Sequence, residues 1–286
     1  MNQLLDVPAP AKLNLFLHIV GRRADGYHLM QSVFVLVDLC DWLDFEIRPN
    51  QTITREDFGG SGSELLPAND LVVRAAHLLQ QATGCTRGAH IRLTKNIPTQ
   101  AGMGGGSSDA ASCLLALNRL WGTGLSRQAL TALGLKLGAD VPFFLLGRNA
   151  WAEGIGDVLQ PIDFPEQRFW VIKPTQGLAT ASIFTDPTLK RDTERARIHS
   201  FTESSVQAKI NFGYNDLQPV AQARCPEISE CLLWLKSQGF LARMTGSGSA
   251  VFAHLPGNLF PPSPPKKWFT AEISSLCDHP LKNWVN

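Results

Sequence analysis

No stretch of this chain approaches the ~18 consecutive apolar residues that a membrane-spanning helix needs, and its first residues lack the basic-then-apolar pattern of an export signal. Neither charge is in excess: 26 Lys and Arg stand against 25 Asp and Glu, for a net charge of +1. Without a basic field, bulk binding to nucleic acid or to an anionic membrane surface is disfavoured, so an anionic ligand must be met by a local site. The six cysteines, at 40, 85, 113, 225, 231 and 277, form no CxxC pair and no framework spacing. That usage fits a reducing compartment, and we expect a cytoplasmic protein in which Cys113 is a small core residue. There is no HExxH, no Gly-x-Ser-x-Gly elbow, no His/Cys cluster for zinc and no internal repeat.

What is there reads as a globular α+β chain of 286 residues, 44% hydrophobic and 18% charged, long enough for one large or two medium domains. KLNLFLHIV (12–20) alternates strictly, which would put Leu13, Leu15, Leu17 and Ile19 on one face and Lys12, Asn14, Phe16 and His18 on the other. One or two further strands are expected over 31–47 and another over 90–94. Helices are expected from Asn69 or Asp70 to about Ala82 with Gly84 as the stop, and over 126–137 with Gly138 as the stop. After about residue 160 the texture changes. FWVIK (169–173), LARMT (241–245) and AVFAHL (250–255) read as strands, 215–224 and 227–238 as helices, and PPSPP (261–265) as a loop, since proline cannot join a ladder. The boundary falls near 160, and a ligand between the halves is the natural expectation.

One stretch stands out: IPTQAGMGGGSSDAASCLLALNRLWG (97–122), with four glycines between 102 and 106 and a helical run behind them. Two readings compete, a flexible connector and an anion cradle in which backbone N–H groups and a helix N-terminus meet a phosphate. The abrupt stop at Ser107 and Ser108, both good caps, favours the cradle. It is neither a Walker A loop, which needs Gly-Lys-Ser/Thr, nor a dinucleotide fingerprint, because Ser107 stands where the third glycine belongs. A cradle without its own lysine needs a cation from elsewhere, and Lys95 and Lys12 are the candidates.

Lys12 reads either as a solvated strand-end lysine or as an active cation beside Asn14. Asp140, in LGADVPFFLLG (137–147), reads as a turn aspartate or as a general base held rigidly against an apolar run. GRRADGYH (21–28) ends in Tyr27 and His28, which could pack or could stack on a flat base. TGSGSAVFA (245–253) is a tight hairpin turn or a second close-approach loop.

Taken together, PAPAKLNLFLHIVGRRADGYH (8–28), the glycine stretch, LGADVPFFLLG, AEGIGD (152–157), NDL (215–217) and RMTGSGSAVFA (243–253) resemble, in order, the galactokinase–homoserine kinase–mevalonate kinase–phosphomevalonate kinase (GHMP kinase) superfamily, and within it the kinases of the non-mevalonate isoprenoid route. The resemblance implies an ATP-binding α/β domain over 1–160, a ferredoxin-like substrate-side domain over 161–286, and an active site in the cleft between them. It implies ATP with Mg2+, and a cytidyl diphosphate sugar alcohol, 4-diphosphocytidyl-2-C-methyl-D-erythritol, phosphorylated on its 2-hydroxyl. Lys12 and Asp140 match the catalytic pair. Pro98, Thr99, Gln100, Ala101, Gly102, Met103, Gly104, Gly105, Gly106, Ser107 and Ser108 match the ATP-phosphate loop, with Lys95 near the nucleotide. Asn14, Tyr27, His28 and Phe184 match the substrate side, the two aromatics facing each other across the cytosine. The metal ligands are left open between Ser107 and Ser108. The expected partners are small molecules rather than nucleic acid or membrane, and the expected state is a monomer or weak homodimer. Alternatives are a homoserine or mevalonate kinase of the same superfamily, a non-catalytic nucleotide-binding regulator, and an RNA-binding module, the last opposed by the neutral charge.

Overall fold

The computed structural model describes residues 1–59, 67–257, 259, 261–265 and 268–285. A six-stranded sheet is built from β1 (Gln3–Arg22), β2 (His28–Arg48), β3 (Ile53–Gly59), β4 (Gly88–Lys95), β5 (Ala150–Glu153) and β6 (Val158–Pro161). The segment expected as one or two strands is a single one, β2. Antiparallel β1 takes one of its edges. The other edge is shared by β4, against Trp42–Arg48, and β5, against Ser32–Phe34. Beyond them β3 runs parallel to β4, and β6 pairs with β5.

Four helices cover this sheet: α1 (Leu71–Thr83), α2 (Gly105–Trp121), α3 (Arg127–Leu137) and α4 (Val141–Leu146). Two of them begin and end where their caps dictate. Asp70 Oδ1 accepts from Val73 N at 3.1 Å, and Gly84 closes α1 in the left-handed region. Ser126 Oγ accepts from Ala129 N at 3.3 Å to open α3. The start of α2 departs from expectation. It begins at Gly105, behind a left-handed Gly104, with Ser107 and Ser108 already inside its first turn. Instead of capping, the Ser108 hydroxyl donates to Pro10 O at 2.7 Å and ties α2 to β1.

A second sheet, in the order β10-β7-β9-β8, is antiparallel throughout: β7 (Arg168–Lys173), β8 (Ala242–Met244), β9 (Val251–His254) and β10 (Phe269–Ser274). Three short helices, α5 (Thr180–Phe184), α6 (Ile198–Thr202) and α7 (Val206–Ile210), fill the connection after β7. They are followed by α8 (Gln218–Arg224) and α9 (Pro226–Ser237), which packs on β7, β8 and β9. Past β10 the chain returns to the first sheet. Leu276 N donates to Leu36 O at 2.8 Å, His279 N to Gly147 O at 2.9 Å, and Arg127 reaches the carbonyl of Val285 at 2.7 Å. Of the segment from Leu259 onward, residues 260, 266, 267 and 286 lie outside the described residues. PPSPP carries no regular structure.

The alternation of β1 does not survive its whole length. The register with β2 slips between Asn14 and Leu17, and such a bulge inverts which parity faces which side. Ala11, Leu13, Leu15 and Phe16 therefore join one buried cluster, while Leu17 and Ile19 join the other. His18 leaves the face of Lys12 and Asn14 and packs edge-on against Phe16 at 4.8 Å. All six cysteines are free thiols, Cys113 among the buried ones. Among the described residues no helix is long and apolar enough to cross a membrane.

Candidate active site

Among the described residues β1 has one strand partner, so its second edge offers N–H groups that need acceptors. Segments from both halves of the chain supply them. Lys12 N donates to Met103 O and Leu17 N to Tyr214 O, each at 2.9 Å. Asn14 N donates to Thr245 Oγ1 at 2.9 Å and Ile19 N to Asp216 Oδ2 at 2.7 Å. One strand edge thus aligns the glycine loop, the TGSGS loop and the NDL segment. A cavity of about 650 Å³ opens over this row, within the usual range of small-molecule sites.

Lys12 projects from β1 into that cavity and is only 4% exposed, while Asp140, at the head of α4, is 33% exposed. The Lys12 ammonium lies 3.5 Å from Asp140 Oδ2. It also donates to Asn14 Oδ1 and lies 5.0 Å from the centroid of the Phe34 ring. Asn14 is oriented in turn by donating through Nδ2 to Ser32 Oγ at 2.8 Å. Gly104 packs closely on the lysine stem, where a Cβ would come within 3.1 Å of Lys12 Cγ and 3.0 Å of Phe144 Cζ. A buried ammonium fixed beside a half-exposed carboxylate can hold that carboxylate in one position and neutralise charge arriving next to it.

The glycine loop, 97–107, forms the adjoining wall. Its glycines are explained as much by neighbouring protein as by a ligand. Gly102 has φ +72, and a Cβ there would sit 2.3 Å from Thr245 O. Reciprocally, a Cβ on Gly246 would sit 2.5 Å from Gly102 O. Two backbone bonds, Ser249 N to Gln100 O at 3.0 Å and Ala250 N to Ala101 O at 3.2 Å, zip the loops together. TGSGS is therefore a close-approach loop. We expect Gly102→Ala to cost roughly 1–3 kcal/mol of stability through overpacking and to raise KM for ATP more than KM for the acceptor. Thermal melts and nucleotide titrations check this, and parent-like values in both would mean that the loop contact is immaterial.

Beneath the loop lies a buried charge cluster that no motif announced. Lys95 Nζ bonds Asp41 Oδ2, and Asp109 Oδ2 at 2.7 Å. Asp41 Oδ1 accepts from the backbone of Asn96 at 2.6 Å and Ile97 at 2.8 Å, which fixes the loop's entrance. Burial disfavours the Lys95 ammonium, but Asp109 and Asp41 outweigh it and hold its pKa above the ordinary value. Burial drives the Asp109 carboxyl well above the carboxylate range, since one cation serves two acids. Lys95 borders the cavity, and its ammonium is paired from below with Asp41 and Asp109.

On the far side of the cavity, Phe184 at the end of α5 lines the wall, with the His28 ring 5.3 Å away. Tyr27, on the loop before β2, is 60% exposed. The NDL segment acts as a brace. Asn215 Nδ2 donates to Met244 O and Gly246 O, both at 2.9 Å, and so holds the TGSGS loop against the glycine loop.

The GHMP kinases N terminal domain matches residues 70–148 and the GHMP kinases C terminal domain residues 200–256. The 4-diphosphocytidyl-2-C-methyl-D-erythritol kinase of Acidovorax ebreus is 56% identical over all of this chain and 99% of its own length. A crystal structure of 4-(cytidine 5'-diphospho)-2C-methyl-D-erythritol kinase superposes with a TM-score of 0.72 at 34% identity, covering 89% of this chain and 90% of that one. The chain belongs to the 4-diphosphocytidyl-2-C-methyl-D-erythritol kinase family. A homoserine kinase from Cytophaga hutchinsonii, at 14% identity over 98% of this chain and 96% of its own with a TM-score of 0.72, shares the GHMP fold.

In this family member the structure brings Lys12, Asn14, Asp140, Phe184 and the whole of Pro98–Ser107 to one cavity. Ser108 lies behind the wall, its hydroxyl engaged by Pro10. Ser32 and Asp41 carried no sequence signal, because each acts through a partner distant in the chain. Asp109, Asn215 and Thr245 were legible only as members of longer motifs.

Proposed function

We propose that this chain transfers the γ-phosphoryl group of ATP to the 2-hydroxyl of 4-diphosphocytidyl-2-C-methyl-D-erythritol, giving the 2-phosphate and ADP in non-mevalonate isoprenoid synthesis. The observation that carries the mechanism is the Lys12–Asp140 pair at 3.5 Å on the wall that also holds the glycine loop. Phosphoryl transfer asks the protein mainly for alignment and charge stabilisation, and both are built here. Asp140 accepts the proton of the acceptor hydroxyl as that oxygen bonds phosphorus and the bond to the β-phosphate oxygen breaks. Lys12 holds the carboxylate and offsets charge on the phosphoryl group in transfer. Loop amides over 102–107 at the head of α2 receive the phosphates.

Among the described residues no three His, Cys, Asp or Glu side chains gather as a metal cage. Magnesium carried on phosphates needs only one or two protein oxygens, which suits this wall. We assign Ser107, which borders the cavity, to that role; its hydroxyl would help hold the ion, which would supply charge neutralisation to the phosphates. We read 1–160 as the ATP side and 161–286 as the acceptor side, with the final residues folded back on the first half.

Tyr27 and Phe184 flank the base of the acceptor in this reading. Tyr27→Ala is expected to raise acceptor KM roughly 5- to 100-fold, from the loss of one stacking face, with KM for ATP and thermal stability unchanged. A drop in melting temperature without a KM effect would make Tyr27 a packing residue. The whole reading is tested by coupled ADP release with the cytidyl acceptor, homoserine and mevalonate offered separately. Turnover with either of the last two, and none with the first, would replace it.

A further inference from the structure

We propose that Arg191 is a positioning residue that sets base specificity, by holding His28 as the neutral tautomer with its proton on Nδ1, so that the site offers a donor to cytosine and opposes uracil. This rests on the base site assigned above to Tyr27, His28 and Phe184. Arg191 Nε donates to His28 Nε2 at 3.0 Å. A guanidinium has no acceptor and keeps its protons, so Nε2 must present its lone pair. The ring is then neutral and its only N–H is at Nδ1.

The arginine is itself immobilised. Nη1 donates to Leu189 O at 2.8 Å and Nη2 to Asp186 O at 2.6 Å, so the side chain is laced to the segment that follows Phe184. Asp186 is anchored from the other side by Arg224, 2.6 Å and 3.0 Å from its Oδ2. Burial, then the charges of Arg191 and Arg22, lower the His28 pKa, in the direction of the neutral ring. Among the described residues nothing accepts from Nδ1, and the ring lies 5.3 Å from that of Phe184, which lines the cavity.

Cytosine carries a lone pair on N3, whereas uracil carries N3–H. A fixed Nδ1–H pairs with the first and leaves two donors facing each other with the second. An unmatched buried donor lowers binding by roughly tenfold or more. A histidine free to choose its tautomer would accept from uracil with little loss, so the discrimination resides in the arginine.

The test uses the full chain with saturating ATP, and compares kcat/KM for the cytidyl acceptor and for its uridyl analogue. The parent is expected to favour the cytidyl compound by an order of magnitude or more. Arg191→Leu should narrow that ratio about tenfold through acceptor KM, with KM for ATP unchanged, and Arg191→Lys, which keeps a donor, should retain most of it. Independently, 15N chemical shifts of the His28 imidazole in the parent protein, assigned with His28→Gln, should report the Nδ1–H form. An Nε2–H ring, or an Arg191→Leu variant slowed equally on both acceptors, overturns the inference. A parent inactive on the cytidyl acceptor would instead sink the function proposed above, and the nitrogen shifts would still decide the tautomer.

Discussion

Asp140→Asn is expected to lower kcat by roughly 10²–10⁴, the contribution of a positioned general base, while ATP binds as before. Asparagine keeps the size of the side chain and can still receive a hydrogen bond from Lys12, but its amide cannot take the hydroxyl proton. The substitution sits at the head of α4, where the Asp140 side chain makes no capping bond, so the helix loses nothing. The measurement is steady-state kinetics together with nucleotide binding by calorimetry. A variant within about tenfold of the parent kcat would remove the base assignment, since the smallest base contribution is larger than that.

The second large effect is expected at Lys12. Replacing it by methionine should cost about 3–4 kcal/mol of transition-state stabilisation, as for other preorganised charge-stabilising donors, or roughly 10²–10³ in kcat. Methionine fills the space of the lysine stem against Gly104, Phe34 and Phe144, so the loss is one of charge rather than of packing. Lys12→Arg is not expected to rescue, because a planar guanidinium on a longer stem cannot take the place of a compact ammonium between Asn14 Oδ1 and Asp140. Because Lys12 acts partly through Asp140, the double variant should lose far less than the two single effects multiplied. Full multiplication would mean that the two groups act separately, and would break the pairing on which the mechanism stands.

Much of the scaffold was legible in the chain. α1 and α3 start and stop where Asp70, Gly84, Ser126 and Gly138 say they should, because a cap acts on backbone groups a few residues away. The strands FWVIK and AVFAHL and the turn chemistry between elements are local in the same sense. Strand β10 and the returning C-terminal segment were not read. They are held by partners such as Lys173 and Leu36, in elements distant along the chain. The bulge in β1 was equally silent, since a one-residue slip depends on what each face must cover, and KLNLFLHIV looks the same either side of it.

The site divides along the same line. Residue types and motif order, from Lys12 through the glycine stretch to Asp140 and RMTGSGSAVFA, were enough by themselves to point to a phosphate cradle with a lysine and an acid at hand, and to the kinase family. Only the tertiary structure decided that Lys95 pairs with Asp41 and Asp109, that Gly102 meets the carbonyl of Thr245 too closely for a side chain, and that Arg191 donates to His28. The reason is physical: a side chain's charge, hydrogen bonds and freedom are set by what surrounds it in space, and here those surroundings come from segments far apart along the chain.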